Sequence, residues 1–245
     1  MCSALLRHVL AVVRAAPRRE QPFAHQLLEG VLPADFYAEL LESMPDPERF
    51  EPLYHKEALR PHGSTTRSTF TLEPGTLAAL PPGAGACLDA CHEAFASDEL
   101  RGALFARFAD VLGDRFGAST PAVAGTVKLQ RDEPGYRIGV HPDTSDKVML
   151  VQLYLAPDDS HPEMGTALYR RSAAGFAKVD TLPFRPNTGY SFARTEESWH
   201  GVEAIGALRH SLTLNYRLDS QRLRRGLKKR VLRQISRFGR RIRGS

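Results

Sequence analysis

Cysteine is scarce: Cys2, Cys87 and Cys91 are the only three among 245 residues. An odd and widely spaced set builds no disulfide framework and fits a reducing compartment. The chain also lacks an apolar run long enough to cross a bilayer as a helix, and it has no internal repeat, which excludes solenoid and propeller arrays. An export signal is not read at the start. Leu5, Leu6, Val9, Val12, Val13 and Ala16 follow helical spacing, but Arg7 and His8 break the apolar stretch, so a docked helix is expected and the protein is read as cytoplasmic. Acidic residues are missing from 221–245, where eleven Lys or Arg stand. The formal charge of +5 therefore conceals a body, residues 1–220, of charge 5 − 11 = −6.

What is present divides into stretches. At 42% hydrophobic the chain can bury one sizeable core. Residues 1 to about 45 read as helical, with Pro33 opening a second helix that Met44-Pro45 closes. Residues 46–85 are rich in Pro, Gly, Ser and Thr and read as loop, with one candidate strand at Ser68–Leu72. From 86 to 116 helical periodicity returns: Leu100, Leu104, Phe108, Val111 and Leu112 share a face, and Ser97 or Asp98 caps it. From Thr126 the period shortens, and seven β-rich segments follow one another to Leu218, punctuated by Pro, Gly and Asp. A closed or double-sheet β core is expected, buttressed by N-terminal helices. In these terms 1–125 is a helical support containing the loop 46–85, 126–220 is the β core that folds with it, and 221–245 is a basic amphipathic tail.

His141-Pro142-Asp143 sets an imidazole and a carboxylate two residues apart, so on extended chain both face one side. A third donor stands far downstream in Ser198-Trp199-His200-Gly201. Two imidazoles and a carboxylate can cover one octahedral face of Fe(II) and leave positions open for substrates. The alternative for His141 and Asp143 is a turn held by local hydrogen bonds, and His161-Pro162-Glu163 is a rival pair on what reads as a mobile surface loop. Nine residues past His200, Arg209 and Ser211 share a strand face; a guanidinium fork with a neighbouring hydroxyl either grips the far carboxylate of a dicarboxylic cosubstrate or pairs with a surface acid.

In order along 126–218 lie His141-Pro142-Asp143, Leu153-Tyr154-Leu155, Gly165-Thr166-Ala167-Leu168-Tyr169, Asn187-Thr188-Gly189-Tyr190-Ser191-Phe192, His200-Gly201-Val202 and Arg209-His210-Ser211. With this set the chain resembles the 2-oxoglutarate/Fe(II)-dependent oxygenases of the prolyl-hydroxylase-like type. The resemblance implies a double-stranded β-helix (jelly roll, cupin-like), iron held by His141, Asp143 and His200, and 2-oxoglutarate and O₂ as cosubstrates. It implies Arg209 at the far carboxylate of 2-oxoglutarate with Ser211 in support, and Tyr154 either beside that carboxylate or in the core. Where relatives carry a tyrosine before the first histidine, this chain has Gln130 and Arg131, and Thr166 replaces a second glycine. A carboxylate at Asp143, where halogenating relatives have a small residue, implies hydroxylation or a related oxidation.

The substrate is less legible. Loops around Arg60–Thr69, Arg137 and Asp158–Met164 are expected to face it, and Arg60, His62, Arg67 and Arg137 form either a basic mouth for an anionic or sugar-like molecule or a solvated surface. A small-molecule or natural-product substrate leads, with a peptide hydroxylase as the alternative and a non-catalytic β-barrel binding module behind it. In the tail, Leu223, Leu227, Val231, Ile235, Phe238 and Ile242 form an apolar stripe on a cationic helix, suited to an anionic membrane surface or a partner, ahead of nucleic acid, or to covering the core. Cys87 and Cys91, set among alanines, read as buried helical thiols.

Overall fold

The chain is seen in a computed structural model that describes residues 3–219 apart from 55, 62 and 120. The basic tail therefore lies outside the described residues. Helix α1 (Ala4–Ala15) opens on Ser3, whose hydroxyl accepts the Leu6 N–H at 3.2 Å, and buries Leu5, Leu6, Val9, Leu10 and Val13. Strands β1 (Arg18–Arg19) and β2 (His25–Glu29) follow, then α2 (Ala34–Glu42), which starts at Pro33. The expected helical run over 1–45 is thus interrupted. Five residues at His25–Glu29 are too few for periodicity to separate strand from helix, and pairing decides: Tyr190 faces Leu27 and Ser191 faces Gln26.

The Pro/Gly-rich stretch holds β3 (Glu51–Pro52), the expected strand as β4 (Arg67–Thr71), and the short helix α3 (Pro74–Leu77). Three helices succeed it: α4 (Pro82–Phe95), α5 (Asp98–Arg107), capped by Ser97, and α6 (Ala109–Phe116). Cys87 and Cys91 are buried in α4, and burial pushes both thiols up. The β region runs β5 (Val123–Asp132), β6 (Ile138–His141), β7 (Lys147–Tyr154), β8 (Thr166–Ser172), β9 (Gly175–Leu182), β10 (Thr188–Ala193), β11 (His200–Val202) and β12 (Arg209–Leu218). Beyond the seven anticipated segments, β11 is an additional strand of three residues.

All pairings are antiparallel. The large sheet has the order β1-β2-β10-β7-β12-β5-β4-β3 and the small one β6-β11-β8-β9. This is the expected double-sheet jelly roll, with strands from before residue 125 extending the large sheet on both sides. The helices cover one face of that sheet, where Val151, Leu153, Leu212, Leu214 and Tyr216 join the main apolar cluster. The opposite face meets the small sheet. Because side chains alternate, Arg209, Ser211, Thr213 and Asn215 of β12 point that way. Polar residues on the inner face of a sandwich leave room for something polar between the sheets.

Candidate metal centre

The small sheet assembles two of the three expected donors. His200 on β11 is the direct cross-strand partner of His141 on β6, and their rings stand 4.5 Å apart. Asp143, just past the end of β6, completes the set: one ligand atom from each of His141, Asp143 and His200 lies within 4.8 Å of the others, the one such group among the described residues. Each imidazole is oriented by its Nδ1, which lies 2.9 Å from a backbone carbonyl (Gly139 O for His141, Ser198 O for His200). Nδ1–H donation there leaves both Nε2 lone pairs free for a cation. Burial, only partly countered by Asp143, pulls the His200 imidazole down to about 4, so it is neutral at pH 7.

Asp143 itself is buried. Its Oδ1 accepts from Lys147 Nζ at 2.7 Å, whereas Oδ2 has no hydrogen-bond partner and lies 4.0 Å from His200 Nε2. Burial would push this carboxyl up, but Lys147 and His200 outweigh it and hold it below the usual carboxylate range. An orphaned carboxylate oxygen facing two free imidazole nitrogens fits a divalent metal, and the two-nitrogen, one-oxygen set suits iron. The loop that carries Asp143 is fastened by two arginines that sequence reading had not singled out. Arg194 Nε donates to Asp143 O at 2.9 Å; Arg115 donates to Lys147 O at 2.7 Å and also to Ser145 O.

These donors open on a cavity of about 540 Å³ between the sheets. Arg209 lines it but is not free. Its Nε and Nη2 donate to Asp132 Oδ2 at 3.0 and 2.7 Å, and Nη1 donates to Met164 O at 2.7 Å. Arg67 grips the same carboxylate, at 2.5 and 2.8 Å, so two guanidiniums share one buried anion and one positive charge remains. Both stand over Tyr136, Arg67 at 4.0 Å and Arg209 at 5.6 Å from the ring centroid. Thus Arg67 and Tyr136 belong to the cavity, together with Gln130.

Tyr154 and Ser211 are not among the lining residues. The Ser211 hydroxyl lies 3.5 Å from Gln130 Oε1. Tyr154 begins a relay: it accepts the Thr166 N–H at 2.8 Å and donates to Thr166 Oγ1 at 2.9 Å. Thr166 Oγ1 in turn meets Tyr190 Oη at 3.0 Å, and Tyr190 donates to Gln152 Oε1 at 2.9 Å. Burial pushes the Tyr190 hydroxyl well up, which keeps it a donor. Elsewhere, His161 and Glu163 meet each other in the open, Arg60 is paired with Glu133 and Arg137 is exposed, so of the anticipated basic mouth only Arg67 lines the cavity among the described residues.

No family model matches the sequence, and no curated protein matches it. Solved structures do. A prolyl-4-hydroxylase from Pseudomonas putida superposes with a TM-score of 0.54 at 23% identity, over 86% of this chain and 98% of that one. A prolyl hydroxylase from Trichoplax adhaerens, solved with a hypoxia inducible factor peptide fragment, gives 0.51 at 14% over 89% and 91%. An oxidoreductase of the 2OG-Fe(II) oxygenase family from Burkholderia pseudomallei gives 0.50 at 13% over 89% and 93%. On this likeness the chain has the jelly-roll fold of the prolyl-hydroxylase-like 2-oxoglutarate/Fe(II) oxygenases.

Proposed function

We propose that this protein is a non-haem Fe(II)- and 2-oxoglutarate-dependent dioxygenase that hydroxylates, or otherwise oxidises, a C–H bond of a small polar molecule. The observation that carries this reading is the convergence of His141, Asp143 and His200 on one point of a cavity whose wall also bears Arg209. His141 and His200 would hold iron through Nε2 and Asp143 through Oδ2. Held there with 2-oxoglutarate and O₂, iron would supply the chemistry of oxidative decarboxylation to succinate and CO₂ coupled to oxidation of a C–H bond. The chain's own part is orientation. Lys147 fixes one oxygen of Asp143 and leaves the other to the metal. Arg67 and Arg209, with one charge between them unanswered by Asp132, attract the far carboxylate of the keto-diacid.

Anaerobic addition of Fe(II) and then 2-oxoglutarate is expected to produce a weak visible charge-transfer band. Asp143→Ala is expected to abolish both the band and succinate formation; turnover unchanged in that variant would remove the reading. A peripheral contact of the tail with an anionic surface belongs to the same proposal, on the strength of its eleven cations.

A further inference from the structure

Gln152 sits mid-strand in β7 with 6% of its surface exposed, lines the cavity, and has no partner for its side-chain nitrogen Nε2. The relay from Thr166 through Tyr190 ends on the Gln152 carbonyl oxygen, which leaves the amide nitrogen as the unmet end of the side chain. A buried amide with unmet N–H groups carries a standing cost that a ligand oxygen would relieve. Register sets Thr213 of β12 directly beside Gln152, and Lys128 of β5 directly beside Thr213. All three line the cavity, and Lys128 forms no ion pair with any described residue. The other cations on the wall have carboxylates: Arg67 and Arg209 share Asp132, Lys147 has Asp143, and Arg217 has Asp146.

The inner face of the large sheet therefore offers two places for an anion. Thr213 and Arg209 are four residues apart on one strand, about 13 Å at the rise of an antiparallel strand. A keto-diacid that spends one carboxylate on the metal has one left and can fill only one of them. We propose that the row Lys128–Thr213–Gln152 is the subsite for an acid group on the molecule that is oxidised. The hydroxyls and amide nearby on the same wall, Thr69, Thr126 and Asn215, match a hydroxyl-bearing skeleton behind that acid. The substrate class is then a small polyhydroxylated carboxylic acid, an assignment that rests on the dioxygenase reading above.

D-gluconate and sorbitol are a suitable pair of probes, since they share a skeleton and differ in the carboxylate. The full chain is loaded with Co(II) and 2-oxoglutarate under argon, and the thermal midpoint is followed against probe concentration, with 2-oxoglutarate affinity measured in parallel. Gluconate is expected to raise the midpoint saturably and sorbitol to leave it unchanged. Lys128→Met and Gln152→Leu should each weaken the gluconate response at least tenfold, Lys128→Arg should keep it, and 2-oxoglutarate affinity should stay within threefold throughout. Equal responses to both probes, no response to gluconate, or an undiminished response in Lys128→Met overturns the assignment. A tenfold loss of 2-oxoglutarate affinity in Lys128→Met gives the row to the cosubstrate and sinks this inference alone. Failure of the wild-type chain to take up metal and 2-oxoglutarate sinks the dioxygenase reading as well.

Discussion

Burial by itself would push the Asp132 carboxyl up, yet Arg67 and Arg209 more than reverse this and hold it below the usual carboxylate range. A carboxyl held low in the fold, and free near ~3.9 when unfolded, binds fewer protons in the folded state. Its stabilisation is therefore complete above about pH 5 and is lost as the pH falls through the folded value. Urea unfolding between pH 7 and pH 3 is expected to show that acid limb, and Asp132→Asn to flatten it. At pH 7 the same variant leaves two guanidiniums in the wall without their shared anion, a loss of about 3–5 kcal/mol in unfolding free energy. At this scale the sequence was uneven. His141, Asp143 and His200 were legible because His-x-Asp on extended chain and a late histidine carry their own geometry. Asp132 was hidden just before a turn signal, Glu133-Pro134-Gly135-Tyr136, and Gln152 in an apolar run whose alternation its neighbours mask. A lone polar residue inside Val148–Leu155 was the available signal.

Elements that pack a long apolar face were readable, and elements defined by pairing were not. Helix α1 shows its stripe in five buried side chains, whereas β11 has three residues and exists because β6 and β8 flank it. Strand β2 belongs to the second kind. Its Gln26 amide donates to Val13 O and Ala16 O at 3.1 and 3.0 Å, tying the end of α1 to the sheet. Gln26→Leu is expected to leave those carbonyls unmet and to lower stability by about 1–3 kcal/mol in denaturant titration. Gly165 immediately precedes β8, and a methyl group there would be driven into the Leu182 carbonyl oxygen beside the pair with β9. Gly165→Ala should therefore cost about 1–3 kcal/mol or more and displace Thr166 from Tyr154, visible as lost amide-exchange protection in β8.

For the whole molecule the decisive quantity is how charge divides along the chain. Removing 221–245 turns +5 into −6, and its eleven cations are unrelieved by any acid. Co-sedimentation with vesicles containing anionic lipid is expected for the full chain, to fall steeply with salt and to vanish for the truncated one; equal sedimentation of both would dismiss a lipid role. No helix among the described residues is long and apolar enough to span a membrane. The double sheet and its helical cover were readable at this scale from the change of period at Thr126, as was β4, but β1, β2 and β3, which also widen the large sheet, were not. The division of labour between the sheets has a consequence for how such a protein can change. Both histidines hang from the small sheet, while Lys128 and Gln152 stand on the large one, away from Arg209 and Lys147. With the acid subsite proposed above, exchanging Lys128 or Gln152 would rewrite which molecule is admitted without touching the residues given to metal and cosubstrate, so new specificities are reachable one residue at a time.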